Sequence, residues 1–358
     1  MQSNKNFYEG QNIYIGLDVH ANQWHVYAAP KDTIKGRAVC IPPTAEALKT
    51  YLQNNFPGGI YYSGYETGFC GFNSHRELVK AGINNIVFNA GDLKRSNKEI
   101  VRKTDALDCK SIWQNLSKGE LEAIYVPTIE EESARELVRG RECFNKDVVR
   151  LKQRIKMFLH KTGIKAPDEL SAAQSHWSKA YMEWLRVMAS SLEGGSSLRL
   201  QTLVDTLVST KANMDMMEKE MYKTCKNTQP EIFILLQTVP GIGILSAAKI
   251  CLEIMNFDRF PDERHLAGYI GLVPDCHVSD KKEVIIGTST RRNKILRNTL
   301  IECAWMSLSK DPALGGYYSK GVAKGKKPNV VIVSVAKKLV NRIYYVHRTR
   351  KAYKIGEN

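Results

Sequence analysis

Short hydrophobic runs rich in β-branched and aromatic residues dominate the first third of the chain. They are separated by turn residues and amphipathic stretches, a pattern that predicts strands alternating with helices. The predicted strands cover 13–17, 24–27, 39–41, 60–62 and 86–88, and the predicted helices lie near 44–54 and 72–81, with one further helix after the last strand. We therefore expect the order βββαβαβ and then a helix, which forms a mixed sheet covered by helices.

A longer period begins near residue 128. Apolar side chains recur at spacings of three, four or seven residues from Leu137 to Phe158 and again from Leu200 to Met221. Both runs have the heptad spacing of a coiled-coil seam. We expect two long helices here, which form either an antiparallel pair or a coiled coil between chains, with shorter helical material between them.

The chain has 358 residues, a length that suggests two or three domains. We predict an α/β catalytic domain over 1–127, a helical coiled-coil domain over 128–230, and an all-α C-terminal domain over 231–358. The element order of the first domain is that of ribonuclease H-like (RuvC-like) folds, whose mixed sheet is covered by helices.

Neither a membrane segment nor a cysteine framework is indicated. The N-terminus is polar, and the longest apolar runs fall far short of the ~18 residues that a membrane helix requires. The 8 cysteines form no C-x-x-C pair and the 8 histidines form no H-x-x-x-H array, so neither a zinc knuckle nor a disulfide framework is indicated. We expect a cytoplasmic protein without a membrane partner.

The charge of the chain is basic and unevenly distributed. The formal net charge is +15, and residues 281–358 carry 18 Lys or Arg against 4 Asp or Glu. The rest of the chain is therefore almost balanced. This distribution favours a nucleic acid as the partner of the C-terminal part, although a basic solubilising tail would have the same composition.

Four acidic residues could converge at one edge of the predicted sheet. Asp18 and Glu66 directly follow apolar runs, while Asp105 and Asp108 are three residues apart and share a helix face. Clustered carboxylates repel one another unless a cation compensates their charge, so they predict Mg²⁺, as one ion or two, held by oxygen ligands. Two such ions could activate a nucleophile and stabilise the leaving oxygen in phosphoryl transfer.

Each acid also has an ordinary structural interpretation. Asp18 fits a turn and Glu66 an exposed strand end. Asp105 fits a helix cap, and Asp108 fits a first-turn partner of the helix dipole. The catalytic hypothesis depends on all four occurring together in this order of strands and helices.

Basic residues precede the last two acids. They are Lys94, Arg95, Arg102 and Lys103. Basic side chains beside an acidic metal site suit a polyanionic substrate, although a solvated loop would have the same composition.

The segment Val239-Pro240-Gly241-Ile242-Gly243 precedes a helix of small residues. Pro-Gly-x-Gly at a helix start is typical of a helix-hairpin-helix motif, in which Gly241 and Gly243 permit a tight turn and expose backbone N–H groups to a phosphate. A packing corner between two helices would have the same sequence pattern, with small residues at the contact.

A second basic cluster surrounds a predicted helix start after residue 293. Its members are Arg291, Arg292, Lys294 and Arg297, whose charges suit contacts to phosphates. The polar stretch before them contains Ser279 and is predicted to be a loop that presents a hydroxyl. Spacing alone does not single out this serine.

Five motifs, in this order, resemble those of one known family. They are Gly16-Leu17-Asp18, Tyr65-Glu66-Thr67-Gly68, Lys103-Thr104-Asp105-Ala106-Leu107-Asp108, Val239-Pro240-Gly241-Ile242-Gly243 and Ala267-Gly268-Tyr269-Ile270-Gly271-Leu272-Val273-Pro274. The family is that of the DEDD transposases of the IS110 and IS1111 insertion sequences, which includes Piv-type DNA invertases and RNA-guided bridge recombinases. The resemblance covers nearly the whole chain.

This resemblance implies a RuvC-like catalytic domain, a coiled coil that joins protomers, and a C-terminal transposase domain with an essential serine. It implies that the four acids are catalytic and that Ser279, five residues after Pro274, is the nucleophile. The implied intermediate is a 5′-phosphoserine on DNA. The implied partners are donor and target DNA, a structured guide RNA, and further copies of the chain in a dimer or tetramer. The implied location is the bacterial nucleoid.

The chain departs from the family at two places. It has Ser279-Asp280 where many members have Ser-Gly, and Ser-Thr-Arg-Arg-Asn at 289–293 where they have Thr-Lys-Ala-Gly-Asn. Both departures concern the geometry of the serine segment.

Two other interpretations stay open. A Mg²⁺-dependent RuvC-like junction nuclease would use water, with Ser279 in a structural role. A non-catalytic DNA-binding protein would use the helix-hairpin-helix and the basic helices alone. A covalent protein–DNA adduct would exclude the nuclease, and metal-dependent cleavage would exclude the binding protein.

Overall fold

A computed structural model describes residues 7–33, 36–93, 105–172, 176–279, 282–288 and 292–356, with the backbone course alone over 274–279 and 282–288. The chain divides into two compact units, Met1–Thr128 and Ile129–Asn358. The first unit is built around one sheet and the second is largely helical, as the sequence predicts.

The sheet of the first unit has five strands. These are β1 (Asn12–Val19), β2 (Trp24–Pro30), β3 (Val39–Ile41), β4 (Ile60–Glu66) and β5 (Asn84–Phe88). Their order in space is β3-β2-β1-β4-β5. β2 pairs antiparallel with β1 and β3, whereas β4 pairs parallel with β1 and β5. The predicted mixed sheet is therefore confirmed.

Helices cover both faces of this sheet. They are α1 (Ala45–Asn55), α2 (Asn73–Lys80) and α3 (Asp105–Ser117). α1 and α2 bury the face that carries Ile13, Ile15 and Leu17, whereas α3 packs on the opposite face. Because side chains alternate along a strand, Gly16 and Asp18 lie on the α3 face.

Gly16 allows α3 to lie directly on β1. A Cβ atom at this position would overlap the carbonyl oxygen of Cys109 and would lie 2.7 Å from the backbone nitrogen of Trp113. Trp113 also donates a hydrogen bond from its indole N–H to the carbonyl oxygen of Ala29 on β2, at 3.0 Å. α3 is thus held on β1 by the close contact at Gly16 and on β2 by the hydrogen bond of Trp113.

The second unit contains ten described helices. They are α4 (Ile129–Thr162), α5 (Asp168–Ser171), α6 (Lys179–Ser191), α7 (Gly194–Thr228), α8 (Pro230–Leu236), α9 (Ile244–Ile254), α10 (Glu263–Ile270), α11 (Lys294–Ser307), α12 (Pro312–Ala323) and α13 (Pro328–Thr349). A hairpin of two strands, β6 (Pro274–Ser279) and β7 (Lys282–Thr288), stands between α10 and α11. The prediction of a loop around Ser279 is therefore wrong, because this segment is paired as a strand.

The long helices α4 and α7 form an antiparallel pair within the chain. Val138 near the start of α4 shares a core with Met221 near the end of α7. Ile155 near the end of α4 shares a core with Leu200 near the start of α7. The start of each helix therefore packs near the end of the other, so α4 and α7 run in opposite directions. Of the two arrangements that the heptads allow, the structure has the one closed within a single chain.

Buried charges cross this pair of helices. Arg141 of α4 donates hydrogen bonds to Glu218 of α7 at 3.1 Å and to Glu142 at 2.8 Å. Lys249 of α9 lies 2.8 Å from the same Glu142 carboxylate. Burial raises the pKa of Glu142, but the hydrogen bond and charge of Lys249, then those of Arg141, outweigh it and leave the pKa below its ordinary value. The ionised network ties α4, α7 and α9 together.

Replacing Ile155 with alanine is expected to lower the free energy of unfolding by about 2–5 kcal/mol, because this side chain is fully buried in the helix pair. Met157 on the same helix is 57% exposed, so Met157→Ala is a matched control that should change stability by less than ~0.5 kcal/mol. Urea unfolding followed by circular dichroism measures both. Equal stability of the two variants would contradict the buried seam.

Within the part of the chain that the structure describes, none of the helices combines the length and the apolar character needed to cross a membrane.

Candidate active site

Two of the predicted acids lie at the carboxyl ends of neighbouring parallel strands. Asp18 is the last residue but one of β1, and Glu66 is the last residue of β4. Leu17 pairs with Tyr65 in the parallel register, so the next residue of each strand, Asp18 and Glu66, follows at the same edge of the sheet. Tyr65 is buried in the core on the α1 and α2 side, and alternation therefore assigns Glu66 to the α3 face together with Asp18.

The other two acids form the first turn of α3. Asp105 begins the helix and Asp108 lies one turn further along. Carboxylates are favoured at this end of a helix, where the backbone N–H groups carry partial positive charge. The close contact of α3 with Gly16 determines how near this turn lies to the end of β1.

The buried thiol of Cys109 lies among these carboxylates. Its Sγ donates a hydrogen bond to the carbonyl oxygen of His25 at 3.1 Å. Burial raises the pKa of this thiol far above its ordinary value, and the negative charges of Asp18, Asp108 and Asp105 raise it further. Three of the four carboxylates therefore raise the pKa of the same thiol. Such a density of negative oxygen donors fits Mg²⁺, which prefers carboxylate ligands.

Two histidines that the sequence analysis missed lie beside the acids. Nε2 of His20 is 3.1 Å from Oδ2 of Asp18 and 3.9 Å from Oδ2 of Asp105. Nε2 of His25 is 3.2 Å from the same Asp105 oxygen. A sequence signal was present for His20, because it lies two residues after Asp18. His25 is opposite Asp18 in the β1–β2 pair, and this register is known only from the structure.

Ser279 lies in the second unit, at the turn end of the hairpin. It is the last residue of β6 and pairs with Lys282, the first residue of β7. Five residue steps of roughly 3.3 Å each separate it by up to ~17 Å from Pro274 at the base of the hairpin.

The base of this hairpin is fixed to the helical body. Gly271 ends α10 with φ 83°, and a Cβ atom there would overlap the side chain of Arg292. Arg297 donates a hydrogen bond to the carbonyl oxygen of Gly271. Asn293 caps α11, and its side-chain amide donates to the buried carboxylate of Glu253 at 2.7 Å. The chain thus leaves and re-enters the body at two anchored points.

The predicted helix-hairpin-helix glycines form a tight turn between α8 and α9. Gly241 has φ 91°, and a Cβ atom there would overlap the carbonyl oxygen of Cys303 on α11. Gly243 is exposed and directly precedes α9. Ala247 and Ala248 are fully buried in the helical core. The turn therefore serves the packing of α9 on α11 and leaves the start of α9 accessible.

The predicted basic residues differ in their surroundings. Arg292 and Lys294 are exposed, whereas Arg297 is partly buried and bonded to the backbone. Five others lie outside the described residues, namely Lys94, Arg95, Arg102, Lys103 and Arg291.

Comparisons with known proteins agree with this arrangement. The signature of the Transposase IS116/IS110/IS902 family matches residues 234–319. A Sinorhizobium fredii protein named as a transposase, y4qE, is 25% identical over 81% of this chain and 75% of its own length. The transposase of insertion sequence element IS1111A from Coxiella burnetii is 26% identical over 66% of this chain and 63% of its own length. The pilin gene-inverting protein of Moraxella bovis is 30% identical over 33% of this chain and 38% of its own length.

The first two of these relatives align with 81% and 66% of the chain. The class of the protein follows from this agreement: it is a transposase, an enzyme of DNA recombination that cleaves and transfers DNA strands. Within that class, the chain is similar to transposases of the IS110/IS1111 family, and its distant homologues include the pilin gene-inverting proteins.

Proposed function

We propose that the chain cuts and rejoins DNA through a serine–DNA intermediate, with Ser279 as the nucleophile and with Mg²⁺ held by Asp18, Glu66, Asp105 and Asp108. The observation that carries this proposal is the approach of Asp18 and Asp105 at the carboxyl edge of the sheet, where Nε2 of His20 lies 3.1 Å from one carboxylate and 3.9 Å from the other. The strand order β3-β2-β1-β4-β5, with β2 alone antiparallel to its two neighbours, supports a ribonuclease H-like first domain.

The chemistry is an exchange of one oxygen for another at phosphorus. Oγ of Ser279 forms a bond to the phosphorus, and the bond from phosphorus to the 3′ oxygen of the preceding nucleotide breaks. The departing oxygen leaves as a 3′ hydroxyl, whose proton balances the one that the serine lost. Mg²⁺ supplies positive charge that favours the ionised hydroxyl and stabilises the phosphoryl oxygens. Attack by another 3′ hydroxyl reverses the step and joins a new strand.

The proposed division of labour follows the three predicted domains. Residues 1–127 hold the metal, residues 128–230 form the helical pair, and residues 231–358 supply the serine and the basic surface. We propose that Gly241 and Gly243 form a helix-hairpin-helix contact to phosphate, because the start of α9 is accessible. The exposed Arg292 and Lys294 are proposed to contact phosphates as well, together with Arg291, Arg297, Lys94, Arg95, Arg102 and Lys103. The proposed partners are donor and target DNA, a structured guide RNA and further copies of the chain.

A second candidate is a RuvC-like junction nuclease that uses water. One observation favours it: the acids and both histidines belong to the first unit and need no residue of the hairpin to form a metal site. The non-catalytic interpretation is not supported, because the relatives that align with most of the chain are named as transposases.

Replacing Asp18 with asparagine is expected to reduce Mg²⁺-dependent strand cleavage by at least about 100-fold, because a charged ligand becomes neutral while the shape of the side chain is kept. The assay uses labelled DNA from the ends of the insertion sequence that encodes the chain, with the transcript of its non-coding end, in Mg²⁺ or in EDTA. Asp32→Asn is the matched control, since Asp32 lies in the turn after β2 with φ 63°, a conformation that asparagine also adopts.

Cleavage that survives in EDTA, or that proceeds equally in Asp18→Asn and Asp32→Asn, would refute the metal site. A loss in both variants would indicate damage to the fold of the first unit, and circular dichroism of each variant identifies that case. The water-using nuclease and the serine mechanism are distinguished by the adduct experiment described in the Discussion.

A further inference from the structure

We propose that His20, His25 and Asp105 form a binding site for a borderline transition-metal ion such as Zn²⁺. This site shares Asp105 with the proposed Mg²⁺ ligands, but its other two donors are imidazole nitrogens. The described part of the chain has one group of three or more His, Cys, Asp or Glu residues whose ligand atoms all lie within 4.8 Å of one another, and it is this one.

The distances fit a tetrahedral ion. Ligands at 2.0–2.2 Å from a tetrahedral Zn²⁺ lie about 3.3 Å from each other. Oδ2 of Asp105 is 3.2 Å from Nε2 of His25 and 3.9 Å from Nε2 of His20. Oδ2 of Asp18 is 3.1 Å from Nε2 of His20, but Asp18 does not belong to the group of three, so the fourth position of the ion stays open. Small side-chain rotations therefore bring the donors to bonding distance.

The donor types select the class of metal. Imidazole nitrogen suits Zn²⁺, Co²⁺, Ni²⁺ and Cu²⁺. Mg²⁺ prefers oxygen ligands and gives up its bound water reluctantly. Two nitrogens and one carboxylate oxygen are the donor set of many three-ligand zinc sites, in which the fourth position stays open. The cluster is thus matched to a metal other than the one proposed for catalysis.

The fold holds these donors on rigid elements. His25 lies within β2, and its side chain is 15% exposed, so its position is determined by the sheet. Its Nδ1 lies 3.4 Å from Sγ of Cys40 on β3, a contact to the ring nitrogen opposite Nε2. Outer contacts of this kind orient a histidine for metal binding. His20 follows β1, and the backbone N–H of His20 closes the turn by donating to the carbonyl oxygen of Gln23 at 3.2 Å.

An ion could reach the site from solvent. The cluster opens into a cleft of about 600 Å³ that is lined by residues 20–23 and by His25, Phe69 and Asp105. The side chains of His20 and Asp105 are 45% and 51% exposed. No rearrangement of the core is needed for binding.

The shared carboxylate has a consequence for the reaction, which rests on the proposed function. An ion held by His20, His25 and Asp105 withdraws Asp105 from the Mg²⁺ set. We expect Zn²⁺ at low concentration to inhibit Mg²⁺-dependent cleavage and excess Mg²⁺ to restore it only in part.

The test measures metal binding on the full chain without DNA. Co²⁺ replaces Zn²⁺ and gives a visible absorption band whose intensity reports four-coordinate binding, and Zn²⁺ then displaces it in a competition titration. We expect one Co²⁺ per chain in the wild type. His20→Asn and His25→Asn should each weaken binding by more than about tenfold. Glu66→Gln should abolish cleavage and keep Co²⁺ binding, which separates this site from the proposed catalytic one.

His265→Asn is the matched control. His265 Nδ1 lies 2.7 Å from Oδ1 of Asp262 on an exposed helix start, so this pair has a histidine and an aspartate but no second histidine. Wild-type binding by this variant supports the assignment. Equal losses in His265→Asn and His20→Asn, or unchanged Co²⁺ binding in a folded double variant of His20 and His25, would overturn it. Since His20 is exposed, His20→Asn remains informative even if His25→Asn fails to fold.

Discussion

Replacing Ser279 with alanine is expected to abolish the covalent protein–DNA adduct while DNA binding is retained. The alanine removes the one oxygen that would bond to phosphorus, and methyl in place of hydroxyl at the end of a strand leaves the backbone pairing of β6 with β7 intact. Wild-type protein, labelled DNA and the guide transcript, run on a denaturing protein gel, should give a labelled band at the position of the protein. The label should remain with the protein when it lies on the strand at the 3′ side of the cut, whose 5′ phosphate is joined to the serine. A label on the strand at the 5′ side should be released with the free 3′ hydroxyl.

The matched control is Ser334→Ala. Ser334 is also a serine of the second unit, exposed on α13, where its hydroxyl donates to the carbonyl oxygen of Val330. This variant should form adduct at the wild-type level. A wild-type amount of adduct from Ser279→Ala would move the nucleophile to another group such as Ser289. Cleavage without any adduct in the wild type would instead favour the nuclease that uses water.

Variants of the acidic residues should lose the adduct for a different reason from the serine variant. Glu66→Gln and Asp108→Asn should also lose the adduct, because the metal that favours the ionised hydroxyl is bound less tightly. Excess Mg²⁺ can restore part of that occupancy. It cannot replace a missing hydroxyl, so the response to Mg²⁺ distinguishes the two roles.

Replacing Gly16 with alanine is expected to cost about 3 kcal/mol or more of stability in the first unit and to remove metal-dependent cleavage. The added methyl group would overlap the carbonyl oxygen of Cys109, which is backbone and cannot turn aside as a side chain does. α3 must therefore shift away from β1. Since Asp105 and Asp108 form the first turn of that helix, their distance from Asp18 increases.

Gly68→Ala provides the comparison for stability. Gly68 is also in the first unit, and the nearest atom to a Cβ there would be the carbonyl oxygen of Glu66 at 3.9 Å, an ordinary contact. Thermal unfolding followed by circular dichroism measures the stability of both variants. Wild-type stability and cleavage in Gly16→Ala would show that α3 does not depend on this close approach.

The strands and helices of the first unit were predictable because each has its own local pattern. The β-branched runs predict β1 and β4, and the acid that ends each run is visible in the sequence. The pairing that places His25 opposite Asp18 is not visible in the same way. It depends on the length of the turn between β1 and β2. One residue more or less in this turn would shift the register of the two strands and leave the hydrophobic pattern of each strand unchanged.

The second unit was less predictable for two physical reasons. Asp280 and Lys281, which lie between β6 and β7 in the sequence, are not one of the residue pairs that favour a two-residue hairpin turn, so neither strand was predicted. The heptads of α4 and α7 predict that each helix has a partner but not which chain supplies it. That choice depends on the path of α5 and α6, which returns the chain to the first helix and has no heptad pattern of its own.

The charged contacts inside the second unit also determine the register of α4 against α7. A heptad seam repeats, so a slip of seven residues would keep most apolar contacts and would displace one helix by about 10 Å. Arg141 would then lose Glu218 and keep only Glu142 on its own helix, so the slip would break the ion pair that joins the two helices. The ion pair thus turns a repetitive interface into one with a single alignment, and every helix that is attached to α7 inherits its position from that alignment.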